Sequence, residues 1–263
     1  MRLWQAGLRV VYEPTAMLLH HEFASSKVMT DATDLHGPHQ AIFVRTHHES
    51  LKQHHAHNTD AILEARFASQ SKRKRMLFID DRIPSRPTGS GFSRSHEILS
   101  GVVERGHAVT FFPTDSQQRW EEIYGHIPRE VEVMPGSTPG QLETFLEERH
   151  KYFETILVSR PHNMEYLSAL VQTHPDWFER IPIVYDAPAL FSLRELVRRE
   201  ISGDIIPERE RERIIQEEVR LAAPADIVTA VSEREGRIFT QYGIRRVEIV
   251  GHSLHPTPTA LPF

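Results

Sequence analysis

The chain has no cysteine in 263 residues, which removes disulfides, thiolate metal sites and cysteine nucleophiles at once. It has no run approaching the ~18 apolar residues of a transmembrane helix. Its N-terminus, MRLWQAGLRVVYEP, lacks the charged, apolar and small-residue order of a signal peptide. Those absences make the cytoplasm the expected location. There is no basic excess either: 31 Lys and Arg against 36 Asp and Glu give a formal charge of −5, so nucleic acid is not an expected partner. The run Lys72-Arg73-Lys74-Arg75 abuts a strand and reads as a solvated linker.

What is present describes a soluble globular chain, with 39% hydrophobic and 25% charged residues. Two regimes follow one another. Residues 1–70 are histidine-rich, with His20, His21, His36, His39, His47, His48, His54, His55 and His57. There Leu8–Tyr12 and Ala16–Leu19 read as a strand pair, followed by a helix over Pro38–Phe67 that is interrupted near His54–Asn58. This appendage offers too little apolar surface to fold alone. From Ser71 onward, short apolar runs alternate with helical patterns. The runs predict strands at Met76–Asp80, Ala108–Phe112, Val131–Met134, Thr155–Ser159, Ile183–Tyr185, Ile227–Val231 and Val247–Val250. Helices are predicted to open at Thr138-Pro139, Pro161 and Pro207. Such alternation predicts an α/β domain over residues 71–252, a doubly wound, mostly parallel Rossmann-like sheet of about seven strands. Residues 253–263 are proline-rich and read as a linker.

In such a sheet, ligands gather at the strand C-termini. The stretch MLFIDDRIPSRPTGSGFSRSHEIL places Gly89, Ser90, Gly91 and Ser93 after the first strand, at the opening of a helix. Glycines there let backbone N–H groups approach a phosphate or carboxylate. The same glycines also suit a plain connection with Ser93 as the helix cap, and both readings stand. The dinucleotide fingerprint fails, because Arg94 occupies its third glycine position, and there is no Gly-Lys-Ser/Thr ending. Other strand ends contribute Asp80, Asp81 and Asp186, any of which could orient sugar hydroxyls, accept a proton or cap the next helix. Arg160, His162 and Asn163 in VSRPHN would point into the same crevice as polar contacts to a ligand. Ser232 and Glu233 end a late strand, where cap chemistry alone explains Ser232. His20 and His21 are adjacent on a predicted strand, so they face opposite sides and cannot readily chelate one ion.

Assembled, these blocks resemble glycosyltransferases of two kinds. FIDDRIPSRPTGSGFSRSHEIL, ERGHAVTFFPTD, VSRPHN, VYDAPALFSLRE, ADIVTAVSERE and VEIVGHSLHPTP are similar to the N-terminal half of a group 1 (family 4) transferase with the GT-B fold. The earlier LWQAGLRVVYEPTAMLLHHEFASS and FVRTHHESL resemble the tail of a family 2, GT-A type transferase. The first resemblance implies that Gly89 to Ser93 approach a donor diphosphate. Asp81, Arg160, His162, Asn163, Ser232 and Glu233 would face an acceptor, and Asp186 stands nearest the catalytic position. Ala187-Pro188 departs from the family pattern there. The second resemblance implies His20 or His21 as a vestigial metal position. The divalent cation would be needed only in a GT-A parent site, since no Asp-x-Asp motif is present; the GT-B half would need no cofactor.

The expectation is therefore a piece of a two-module enzyme that moves a sugar from a nucleotide-activated donor to a glycan or lipid-linked acceptor. This chain would supply the acceptor-side domain and be inactive alone. A different class remains: a binding or assembly module that pairs with itself as a homodimer or with a donor-binding subunit. A nucleotide-dependent oxidoreductase, with Asp115 as the ribose-binding acid, is weakened by the broken fingerprint.

Overall fold

The computed structural model describes residues 6, 17–19, 29–52, 73–85, 89–115, 123, 125–134 and 138–253, apart from the side chains of residues 29–35 and Ser90. Contacts divide the chain into two compact units, Met1–Ser69 and Gln70–Phe263.

In the first unit, helix α1 spans Met29–Thr46 and a single turn, α2, spans His48–Leu51. The helix starts nine residues earlier than expected. Pro38 is thus interior, where its ring nitrogen donates no hydrogen bond to the preceding turn. The expected strand pair falls on residues 8–12 and 16–19. Of these only Met17, Leu18 and Leu19 are described, and all three are exposed. The expected interruption near His54–Asn58, like His20 and His21, lies outside the described residues.

The second unit is α/β. Its strands are β1 (Arg75–Asp80), β2 (Ala108–Pro113), β3 (Glu132–Val133), β4 (Thr155–Ser159), β5 (Ile183–Ala187), β6 (Ile227–Ala230) and β7 (Val247–Ile249). All pair in parallel, in the order β3-β2-β1-β4-β5-β6-β7. The helices are α3 (Ser90–Glu104), α4 (Leu142–Arg149), α5 (Pro161–Thr173), α6 (Phe191–Ile201), α7 (Glu208–Leu221) and α8 (Glu233–Gln241). This is an open, seven-stranded Rossmann-like sheet.

The inner strands β1, β2 and β4 form where they do because their side chains are buried on both faces, as a covered parallel sheet requires. All six residues of β1, RMLFID, are buried. Leu77 and Ile79 pack with Leu142, Leu146, Met164 and Leu167 on one face. Phe78 packs on the other with Leu99, Val109 and Phe111, its ring 5.3 Å from that of Phe111. Each such side chain contributes about 1.5–3 kcal/mol of burial. Helix ends follow local chemistry. Gly106, at φ +84°, closes α3 by donating its N–H to the Val103 carbonyl. Thr138 and Gln141 form a reciprocal capping box ahead of α4. Glu218 of α7 accepts the N–H groups of Phe191 and Ser192, capping α6 from a different helix.

Candidate functional site

The strand order reverses between β1 and β4: the chain leaves β1 toward β2 and β3, then returns to β4 and proceeds the other way. In open α/β sheets that reversal opens a crevice at the strand C-termini. The residues ending β1 and β4 there form a continuous polar cluster.

Its centre is Arg160, held between β4 and α5 at φ +78° and ψ 148°. A side chain in that region costs about 1–3 kcal/mol, so surrounding contacts must hold it. Pro161 bars the helical alternative for the residue before it. The Arg160 N–H donates to the Asp186 carbonyl at 3.1 Å. Its Nε donates to Asp80 Oδ1 at 2.6 Å and lies 3.2 Å from Asp81 Oδ2. The guanidinium rests on the Phe92 ring, 4.3 Å from the centroid. A Cβ on Gly91 would lie 3.8 Å from Arg160 Nη2, so the first turn of α3 stands directly beside this cation.

That turn has its own positive end. Gly89, at φ +127°, is the cap residue and has no side chain to satisfy the first N–H groups. The first helical bond is Ser93 N–H to the Gly89 carbonyl at 2.9 Å. Ser93 is thus inside the helix, and its expected role as the cap is corrected. No acidic side chain occupies the first turn to neutralise the helix dipole.

On the other side of Arg160, Asp81 accepts from His162 Nε2 at 2.6 Å and from Asn163 Nδ2 at 2.9 Å. Thr114 of the β2 end donates to Asn163 Oδ1 at 2.7 Å and fixes the amide. With Nε2 spent on Asp81, Nδ1 is the ring nitrogen left to a ligand, and the His162 side chain is 46% exposed. The Asp81 bond raises the His162 pKa above its ordinary value. Burial pushes Asp81 up, but the His162 bond, the Arg160 charge and the Asn163 amide outweigh it and leave the carboxyl below its ordinary value. Asp80 differs: burial dominates and raises it, with Arg160, the Asp81 N–H and the Ser95 hydroxyl pulling only part of the way back.

Asp186 ends β5 and is fully buried. Arg94 Nη1 donates to both its oxygens at 2.6 Å, Ser159 Oγ donates at 3.1 Å and Thr229 Oγ1 at 2.5 Å. Its expected catalytic role has no geometric support in this arrangement, because both oxygens are occupied and neither meets solvent. Ser232 and Glu233 do not join the cluster's hydrogen bonds. Ser232 Oγ accepts the Glu235 N–H at the start of α8, and Glu233 pairs on the surface with Arg237 at 3.1 Å.

Sequence reasoning brought together Asp81, Arg160, His162, Asn163 and the Gly89–Ser93 loop, and missed Phe92, Arg94 and Thr114. The signal for Arg94 was readable, since it lies on the buried stripe of α3 four and five residues before Ile98 and Leu99. A charge on that stripe requires a buried partner. Concavities of about 500 and 590 Å³ occur elsewhere, between α6 and α8 and beside Arg220, Asp226 and Arg246. Convergence of polar groups, rather than volume, distinguishes the switch point. Among the described residues no group of three or more His, Asp or Glu side chains is placed to hold a metal ion. Nor is any described helix long and apolar enough to cross a membrane.

No family model matches the chain, and no curated protein matches it. Among solved structures, Anabaena HepE in complex with UDP-glucose is similar at 18% identity over 68% of this chain, with a TM-score of 0.44. The match covers 44% of that protein, so the chain spans less than half its length. A short-chain dehydrogenase/reductase from Veillonella parvula is similar at 14% identity over 60% of this chain and 68% of its own, with a TM-score of 0.31. The C-terminal domain of the coenzyme A biosynthesis bifunctional protein CoaBC gives 11% identity, 53% and 70% coverage and a TM-score of 0.31. The fold assignment rests on the sheet order itself.

Proposed function

We propose that the unit from Gln70 onward is the acceptor-side domain of a GT-B glycosyltransferase, acting in transfer of a sugar from a nucleotide-activated donor to a glycan or lipid-linked acceptor. The observation that carries this reading is the switch-point cluster of Asp81, Arg160, His162 and Asn163 facing the uncapped start of α3. The sequence blocks that resemble family 4 transferases supply the same residues.

In this reading the donor diphosphate lies at the Gly89–Ser93 loop, against the N–H groups of the first helical turn that precede the Ser93 bond, where the helix dipole and the Arg160 cation oppose its charge. That arrangement needs no resident metal. Acceptor hydroxyls meet the Nδ1 side of His162, with Asp81 fixing the ring and stabilising its cationic form. Asn163 holds Asp81 in place. Asp186 acts through Arg94 as a positioning residue. The stretch with His20 and His21 keeps its reading as the tail of a GT-A module with a vestigial metal position.

The β1–α3 connection also supports this reading over a dinucleotide oxidoreductase. Nine residues, Asp81 to Gly89, separate strand from helix, where a dinucleotide site needs a tight glycine turn. Calorimetric titration of the chain with a panel of nucleoside diphosphate sugars, short oligosaccharides and NADP decides between them. A sugar nucleotide or oligosaccharide is expected to bind, with affinity reduced at least ~10-fold in Arg160→Ala, the scale of one charge-assisted contact. Binding of NADP alone, or binding indifferent to Arg160→Ala, would overturn the reading.

A further inference from the structure

Arg94 joins three parts of the domain that are remote in sequence. It projects from the second turn of α3, just beyond the Gly89–Ser93 segment, and is 1% exposed. One end of its guanidinium clamps Asp186 on β5. Its Nε donates to the carbonyl of Val250 at 2.9 Å, across 156 positions of chain. Val250 is the first residue past β7, and its own N–H donates to the Ala230 carbonyl of β6. The segment Val250–Ser253, by which the chain leaves the sheet, is thus tied on one side to β6 and on the other to the helix that carries the candidate phosphate loop. A planar guanidinium holds these bonds in a fixed fork, so it cannot follow a shift of α3 without releasing or displacing the Val250 carbonyl. Asp186, fixed in turn by Ser159 and Thr229, keeps the pivot in place.

We infer that Arg94 is a positioning residue that couples occupancy of the Gly89–Ser93 loop to the order of the segment leaving β7. This rests on the reading of that loop as an anion site. Occupancy that draws the start of α3 into one position fixes the Val250 carbonyl, and by reciprocity, ordering of Val250–Ser253 strengthens anion binding at the loop.

Hydrogen exchange on the full chain tests the coupling, with inorganic pyrophosphate as the probe. In wild type, pyrophosphate is expected to slow exchange both in Ser90–Ser95 and in Val250–Ser253. In Arg94→Lys it slows only the first, because an ammonium cannot hold the same fork. Slowing confined to Ser90–Ser95 in wild type would overturn the coupling. Pyrophosphate that slows neither segment refutes the loop as an anion site, a separate failure. A ligand-free arm then decides the structural link: Arg94→Lys is expected to raise exchange in Val250–Ser253 at least tenfold while leaving Ile98–Glu104 unchanged. Unchanged exchange in Val250–Ser253 would overturn it. If Arg94→Lys does not fold, Thr229→Val loosens Asp186 while keeping Arg94, and Ser90–Ser95 and Val250–Ser253 are expected to lose protection together; loss in neither, or in only one of them, would again overturn the link.

Discussion

Two acid–base pairs stand at the strand ends on either side of β4, and burial gives them opposite uses. Arg94–Asp186 is dry, with the side chains 1% and 0% exposed, and every oxygen of Asp186 is occupied by protein donors. Asp81–His162 has the same kind of short contact, but its imidazole is half in solvent and its Nδ1 meets no hydrogen-bond partner among the described residues. A sealed pair holds elements together and has no capacity left for a ligand. A half-open pair keeps one partner fixed and offers the other. Strand-end position alone therefore does not make a carboxylate catalytic; what its oxygens already accept decides.

Breaking the sealed pair has the largest expected effect. Asp186→Ala leaves the Arg94 guanidinium buried without its carboxylate, at a cost of about 3–5 kcal/mol in urea denaturation. A loss below about 1 kcal/mol would show that water reaches the pair. The half-open pair contributes less and depends on pH. The His162 pKa is raised above its ordinary 6.5, so its stabilisation is complete below that pH and disappears as pH rises through the folded value. The Asp81 pKa is lowered below its ordinary 3.8, so its share is present above that pH and is lost as pH falls through the folded value. Stability from this pair is accordingly fullest between those two ordinary values. Asp81→Asn should flatten the pH dependence of the denaturation midpoint on the alkaline side, at a cost of about 1 kcal/mol near pH 6. A profile identical to wild type would remove the ion pair from the account.

Smaller effects sharpen the same contrast. Gly106→Ala places a side chain at φ +84° and should cost about 1 kcal/mol, read as a lowered thermal midpoint with no change in ligand affinity. Arg237→Ala breaks a pair with Glu233 in which both side chains are more than three-quarters exposed, and should change stability by less than about 0.5 kcal/mol. A larger loss there would mean that burial does not rank these pairs.

The contrast also explains what was legible in the sequence. The seven described strands of the second unit stand where apolar runs placed them; for the inner ones the reason is that a covered parallel sheet writes its strands as continuous hydrophobic stretches. Pro161 marked the start of α5 through local backbone chemistry. What escaped depended on partners far along the chain. Nothing near Arg94 announces Asp186 or Val250, and nothing near Phe191 announces that Glu218 caps its helix. Ser93 looked like a cap because serine caps helices, but the turn was already closed by Gly89 four residues earlier. Helix α1 passed through Pro38 because one missing hydrogen bond did not outweigh an otherwise helical segment from Met29 onward. At the site, residue types were readable and their occupancy was not: Asp81 and Asp186 are indistinguishable until their donors are known.

In the proposed function the switch point at Asp81, Arg160 and His162 receives the ligand while Arg94–Asp186 only holds the frame. The most direct measurement follows the imidazole nitrogens of His162 by NMR during titration with the sugar nucleotides and oligosaccharides. A binding ligand is expected to shift His162 Nδ1 strongly while Nε2 keeps its bond to Asp81. Saturable binding that leaves both nitrogens of His162 unmoved would contradict it.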